Sequence, residues 1–186
     1  AVEEGRTVTY RSLGQMPDRN YNFVTPKPKG RVGPEKISIA RLPVTGSDLF
    51  GREEDLAFLD AAWANPDANV VSIVAWAGVG KSTLINHWLR SMVAEHYRSA
   101  ELVFGWSFYS QGTSGDTSSA DEFLDAAHNW FGDPDPRMGT AWQKGGRLAE
   151  LMAHRRTLLI LDGLEPLQNP PGPQEGRLRE AALQAL

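Results

Sequence analysis

Val70-Val-Ser-Ile-Val-Ala-Trp-Ala-Gly-Val-Gly-Lys-Ser82 is the stretch on which the fold of this chain turns. Its first half, Val70–Ala75, is short, β-branched and almost wholly apolar, as a parallel strand covered on both faces should be. Gly78 and Gly80 then break the strand. A helix is predicted from about Ser82, with Leu84, Ile85, Trp88, Leu89, Met92 and Val93 along one face. A strand, a glycine-punctuated loop and a helix in that order build an anion site. The glycines permit the φ values that turn successive backbone N–H groups inward, and the helix aims the positive end of its dipole at the same place.

The segment Ala75-Trp-Ala-Gly-Val-Gly-Lys-Ser82 fits small-x-x-x-x-Gly-Lys-Ser, the phosphate-binding loop of P-loop NTPases. In that reading Ala75, Trp76, Ala77, Gly78, Val79 and Gly80 wrap the β-phosphate, and Trp76 packs over the nucleotide site. Lys81 supplies a point charge for the β- and γ-phosphates, Ser82 a hydroxyl for Mg²⁺, and Thr83 reaches the α-phosphate. The expected ligands are ATP or ADP with Mg²⁺. Ala75 stands where glycine is common, which is tolerated if φ stays negative there. The competing reading is a chance Gly-Lys-Ser turn, and the strand and helix around it weigh against that.

Downstream, Leu102–Tyr109 reads as a second strand. Ser119-Ala-Asp-Glu122 reads as a capping box ahead of a helix carrying Phe123, Leu124, Ala127, Trp130 and Phe131, which Pro134 and Pro136 end. Ala141–Ala153 reads as a further helix weakened by Gly145-Gly146, and Thr157-Leu-Leu-Ile-Leu-Asp162 as a third strand. Strands alternating with helices predict an α/β fold with a parallel sheet and right-handed crossovers. A carboxylate at the tip of such a strand can join the Mg²⁺ shell directly or through water, the role expected of Asp162. Glu165, three residues on, is placed to orient or activate a water at the γ-phosphate. The alternative for Asp162 is a cap on the turn into Gly163. The hydroxyl-rich run from Ser107 to Ser119 is read either as a γ-phosphate sensor or as a plain surface loop.

The bulk properties agree with a globular domain. The chain has 186 residues, 41 % hydrophobic and 23 % charged, with net charge −4 and no cysteine. The acidic balance offers no general attraction to nucleic acid or anionic membrane, and disulfides and thiolate metal sites are excluded. No apolar run reaches membrane-spanning length, and no signal-peptide core is present at the N-terminus, which fits a cytoplasmic protein. The four histidines, His87, His96, His128 and His154, show no ligand spacing, so no zinc is expected. Residues 1–48 read as an extended arm or linker, with Thr25–Pro34 non-helical and Ile37–Ala40 a short docking strand. The six tryptophans are expected in core or half-buried positions. A start at Ala1 and a stop inside the amphipathic run Arg177–Leu186 suggest a piece of a larger protein.

Four stretches together carry a family resemblance: Phe50-Gly-Arg-Glu-Glu-Asp-Leu56, Gly78-Val-Gly-Lys-Ser-Thr-Leu84, Phe104-Gly-Trp-Ser-Phe-Tyr-Ser-Gln111 and Leu158-Leu-Ile-Leu-Asp-Gly-Leu-Glu165. The chain from about Leu49 to Leu186 resembles the first half of the nucleotide-binding module of STAND signalling NTPases, the NB-ARC and NACHT group. The resemblance implies a three-layer α/β/α P-loop fold, truncated here, and places Phe50, Gly51 and Arg52 against adenine and ribose. It implies a slow ATPase switch in immune, cell-death or defence signalling. Effector and sensor domains would be its partners in the parent chain, and it would oligomerise on activation; the fragment alone would be weak or inactive. Asp162-Gly-Leu-Glu165 is closer to the NACHT form than to the paired-Asp form of NB-ARC, so the subclass stays open. Two other readings stay open as well: a P-loop small-molecule kinase or other metabolic NTPase, and a nucleotide-independent scaffold module. A GTPase is disfavoured because no Asn-Lys-x-Asp motif occurs.

Overall fold

A computed structural model describes residues 7–11, 33–46, 48–109, 120–170 and 176–186. The hydroxyl-rich run beyond Tyr109, Ser119 of the expected capping box, most of the Thr25–Pro34 segment and residues 171–175 lie outside them. The described chain is mixed α/β and falls into two compact units. One holds β1 (Thr7–Arg11) and residues Val44–Glu95; the other holds residues 33–43 and His96–Leu186.

In the first unit, α1 (Glu53–Ala64) starts with three acidic residues in its first turn, where the helix dipole favours them. β3 (Val70–Val74) leads through the 75–80 loop into α2 (Lys81–Ala94). Leu84, Trp88, Leu89 and Met92 form the buried stripe of α2, and Leu59 that of α1. The Trp88 indole N–H donates to Asp60 Oδ1 at 2.7 Å and ties the two helices. Val93, expected on the same stripe, is exposed.

The expectation for β3 needs correction. It pairs antiparallel with β1, Thr7 opposite Val74 and Arg11 opposite Val70, and it is not a member of the parallel sheet. Val70, Ser72 and Val74 are exposed while Val71 and Ile73 are half-buried. The period-2 alternation is that of a strand with one open face. An unbroken apolar run cannot distinguish that arrangement from double coverage. β1 lies within the segment read as an arm, although Thr7-Val-Thr-Tyr-Arg11 is rich in strand formers.

The second unit contains the parallel sheet: β2 (Lys36–Ser38), β4 (Leu102–Ser107) and β5 (Thr157–Asp162), in the order β2-β4-β5. β2 falls on the docking strand expected near Ile37. All six residues of β4 are buried, so this strand has the double coverage assigned by sequence to β3. α3 (Ala120–Phe131) and α4 (Ala141–Ala153) form the crossover from β4 to β5, and α5 (Ala181–Ala185) packs on α4. Phe104 and Trp106 on β4 and Phe108 just after it share one face, and all three rings meet Phe123 of α3 at centroid distances of 5.6–6.4 Å. Leu124, Ala127, Leu148, Leu167, Ala182 and Leu183 complete the core. Gly105 admits no side chain: a Cβ there would meet Leu42 at 2.7 Å. Arg41 lies over the Trp106 ring at 4.0 Å and pairs with Glu122. Trp88 and Trp106 match the expected tryptophan burial, but Trp76 and Trp142 are exposed.

One local feature has no sequence signal. His96, Tyr97, Arg98 and Ser99 form a single left-handed turn, with φ between 46° and 70°. L-residues take this conformation at a cost of roughly 1–2 kcal/mol each. Burial of Tyr97 within the turn is one compensation. Ser99 is exposed, so Ser99→Gly is expected to stabilise the chain by about 0.5 kcal/mol, the relieved strain exceeding the added unfolded-state entropy. Urea unfolding of the two proteins checks it.

Candidate functional site

The 75–82 loop has the backbone its sequence demands. Gly78 and Gly80 sit at φ 79° and 90°, and Gly80 is the N-cap of α2. The first intrahelical bond runs from the Leu84 N–H to the Gly80 carbonyl at 2.9 Å. First-turn amides of any α-helix point out of its end, so the positive end of the α2 dipole lies at residues 80–83. Gly80, without a side chain, leaves the first-turn amides of α2 uncapped by the N-cap residue itself. Lys81 begins the helix and turns its ammonium back on the loop. Nζ donates to the Ala75 carbonyl at 2.9 Å and the Trp76 carbonyl at 3.3 Å. The cation that sequence assigned to phosphates is held across the loop by the loop's own oxygens.

Arg52 reaches the same loop from the start of α1. Its Nη2 donates to the Val79 carbonyl at 2.8 Å, and Nη1 pairs with Asp55 Oδ2 at 3.0 Å. Gly51 is at φ 64°, and Phe50 and Trp76 are 86 % and 81 % exposed, so neither ring is packed into the protein. The resemblance places Arg52 beside adenine and ribose; its guanidinium is engaged with the Val79 carbonyl and Asp55.

The acidic residues lie in the second unit. Asp162 ends β5 directly opposite Ser107 in the parallel register. The buried Ser107 hydroxyl donates to Asp162 Oδ2 at 3.1 Å and accepts from the Tyr109 N–H at 3.3 Å. The Tyr109 hydroxyl donates to Glu165 Oε2 at 3.4 Å. Burial raises the Tyr109 pKa, and the negative charges of Glu165 and Asp162 raise it further. The Tyr109 ring occupies the space a Cβ on Gly163 would need. The sequence reads Ser107 and Tyr109 as the end of a strand and the start of a hydroxyl-rich run, with no link to the two carboxylates. Their service to the two carboxylates depends on strand register, which no local pattern encodes.

Among the described residues no group of three or more His, Cys, Asp or Glu is placed to hold a metal ion, and no helix is long and apolar enough to cross a membrane. No protein-family model, curated protein or solved structure matches the chain.

Proposed function

We propose that this chain binds the phosphates of ATP or ADP, with Mg²⁺, through residues 75–83, and serves as a nucleotide switch of the STAND kind in a larger signalling protein. The observation that carries the reading is the Lys81 ammonium resting on the Ala75 and Trp76 carbonyls beside two left-handed glycines at a helix N-terminus. An ammonium held this way exchanges two neutral acceptors for a phosphate oxygen at little reorganisation cost, and charged hydrogen bonds are the stronger kind. Mg²⁺ in such sites takes one or two carboxylates plus hydroxyl and phosphate oxygens, so a three-carboxylate cluster is not required. The sequence nominates Ser82 and Asp162 for the metal and Glu165 for the water. Effector and sensor partners and activation by self-association come with the family resemblance alone, and a cytoplasmic location is proposed with them.

Titration with Mg-ADP and Mg-ATP tests the proposal. Lys81→Ala is expected to weaken both at least about tenfold, the loss of a charge-assisted contact worth roughly 1.5–3 kcal/mol. Equal affinity for the wild-type and substituted proteins would sink the switch reading. That outcome would favour a nucleotide-independent assembly module, a reading supported by the open face of β3.

A further inference from the structure

We propose that Arg52 is a positioning residue that sets the phosphate loop in its binding-competent form, rather than a contact for the base. The inference rests on reading 75–82 as a phosphate loop. Val79 lies between the two glycines at positive φ, in the part of the loop with the widest choice of backbone conformations. Its carbonyl belongs to the peptide unit that carries the Gly80 N–H. A trans peptide is planar, with C=O and N–H pointing to opposite sides. Fixing the Val79 oxygen on the Arg52 side therefore turns the Gly80 N–H away from Arg52. One hydrogen bond orients the donor at the N-cap of α2.

Arg52 is itself held firmly. Its carbonyl accepts from the Leu56 N–H at 3.0 Å, the first hydrogen bond of α1. Asp55, one turn along α1, takes the other arm of the guanidinium, and both side chains are mostly buried, at 26 % and 13 % exposure. A planar fork engaged at both arms directs its donors in a way an ammonium cannot. The conformation of the loop is thus tied to the first turn of α1, 27 residues away in sequence.

A loop that samples several conformations binds with an apparent affinity reduced by the fraction that is competent. If Arg52→Ala lowers that fraction to roughly a fifth, every phosphate ligand loses about fivefold, whether or not it carries a base. The experiment compares Mg-ADP with Mg-pyrophosphate, which has no base or ribose, on wild-type, Arg52→Ala and Arg52→Lys proteins by calorimetry. Thermal melting confirms folding in each case. The expected result is an equal loss for both ligands, about fivefold for Arg52→Ala and smaller for Arg52→Lys. If Arg52→Ala does not fold, Arg52→Lys carries the comparison. Weakened ADP with unchanged pyrophosphate would overturn the proposal and make Arg52 a base or ribose contact. No change for either ligand would overturn it too. A wild-type protein that binds neither would instead overturn the phosphate-loop reading, and the role of Arg52 with it.

Discussion

Asp133→Ala is expected to destabilise the second unit by about 3–5 kcal/mol, the usual cost of removing one partner from a buried ionic network. Asp133 follows α3, where the His128 carbonyl accepts from the N–H groups of both Gly132 and Asp133 in a Schellman-type cap. That cap points the carboxylate inward. Oδ2 then lies 2.7 Å from His128 Nδ1 and 2.9 Å from Arg147 Nε of α4, and Oδ1 accepts from the Asp135 N–H at 2.9 Å. The His128 and Asp133 side chains are 0 % and 2 % exposed. Arg147 also donates to the Met138 and Asp135 carbonyls, so the same guanidinium pins the whole connection between α3 and α4. Removing the carboxylate strips the Arg147 guanidinium and the Asp135 N–H of an acceptor and takes the nearest polar neighbour from the buried His128 ring. Against a total stability of about 5–15 kcal/mol the loss is large. The urea midpoint should fall with little change in slope; a shift worth under about 1 kcal/mol would show that the network contributes little.

The network also sets the sign of the acid response. Burial lowers the His128 pKa, with Arg147 adding to this, and the opposing pull of Asp133 does not cancel them. Asp133 is itself lowered: its hydrogen bond from Asp135 N–H and the Arg147 guanidinium outweigh the upward effect of burial. Both groups thus bind protons less readily folded than unfolded. As pH falls below 6.5, the ordinary histidine value, the unfolded chain takes up a proton that folded His128 refuses, and stability declines. A second decline begins below 3.8, the ordinary aspartate value. His128→Gln should flatten the stability profile just below 6.5 and leave the lower step in place.

Where local chemistry decides an element, its residues announce it. Thr157–Asp162 and Ala141–Ala153 form the elements their patterns predict, within those bounds. The 75–82 loop is equally local: its glycines, its lysine and the helix start are close together in sequence, so its backbone is legible in the residue order alone. What escaped was long-range. An apolar run identifies β3 as a strand but carries no information on its partner, and β1 lies 59 residues or more away along the ladder. Ser107 meets Asp162 across 55 residues, through a register that only the assembled sheet fixes. Arg52 meets the Val79 carbonyl across 27 residues, and which loop atom its guanidinium takes depends on rotamers rather than on residue order. The His128–Asp133–Arg147 network needs a helix cap and a helix hairpin at once, and its spacings follow no periodicity.

Gly145 and Gly146 make the last expectation, because one pattern hides two opposite roles. Both lie inside α4, where glycine costs about 1 kcal/mol relative to alanine, and the sequence reads them as a shared weakness. A Cβ on Gly146 would touch nothing within 4 Å. A Cβ on Gly145 would overlap the Ala182 carbonyl oxygen of α5 and lie 2.8 Å from its carbon. The obstacle is backbone, not the end of a flexible side chain, so it cannot swing aside. To admit one methyl group, α5 must move as a unit and carry with it Ala182 and Leu183, both part of the aromatic-lined core. Gly146→Ala is therefore expected to stabilise the chain by about 1 kcal/mol. Gly145→Ala should destabilise it by about 1–3 kcal/mol despite the same gain in helix propensity. Gly145→Leu should detach α5 and open residues 176–186 to protease. Paired urea midpoints for the two alanine variants give the decisive comparison. If they move together in the same direction, the close approach of α4 and α5 is not what requires glycine at position 145.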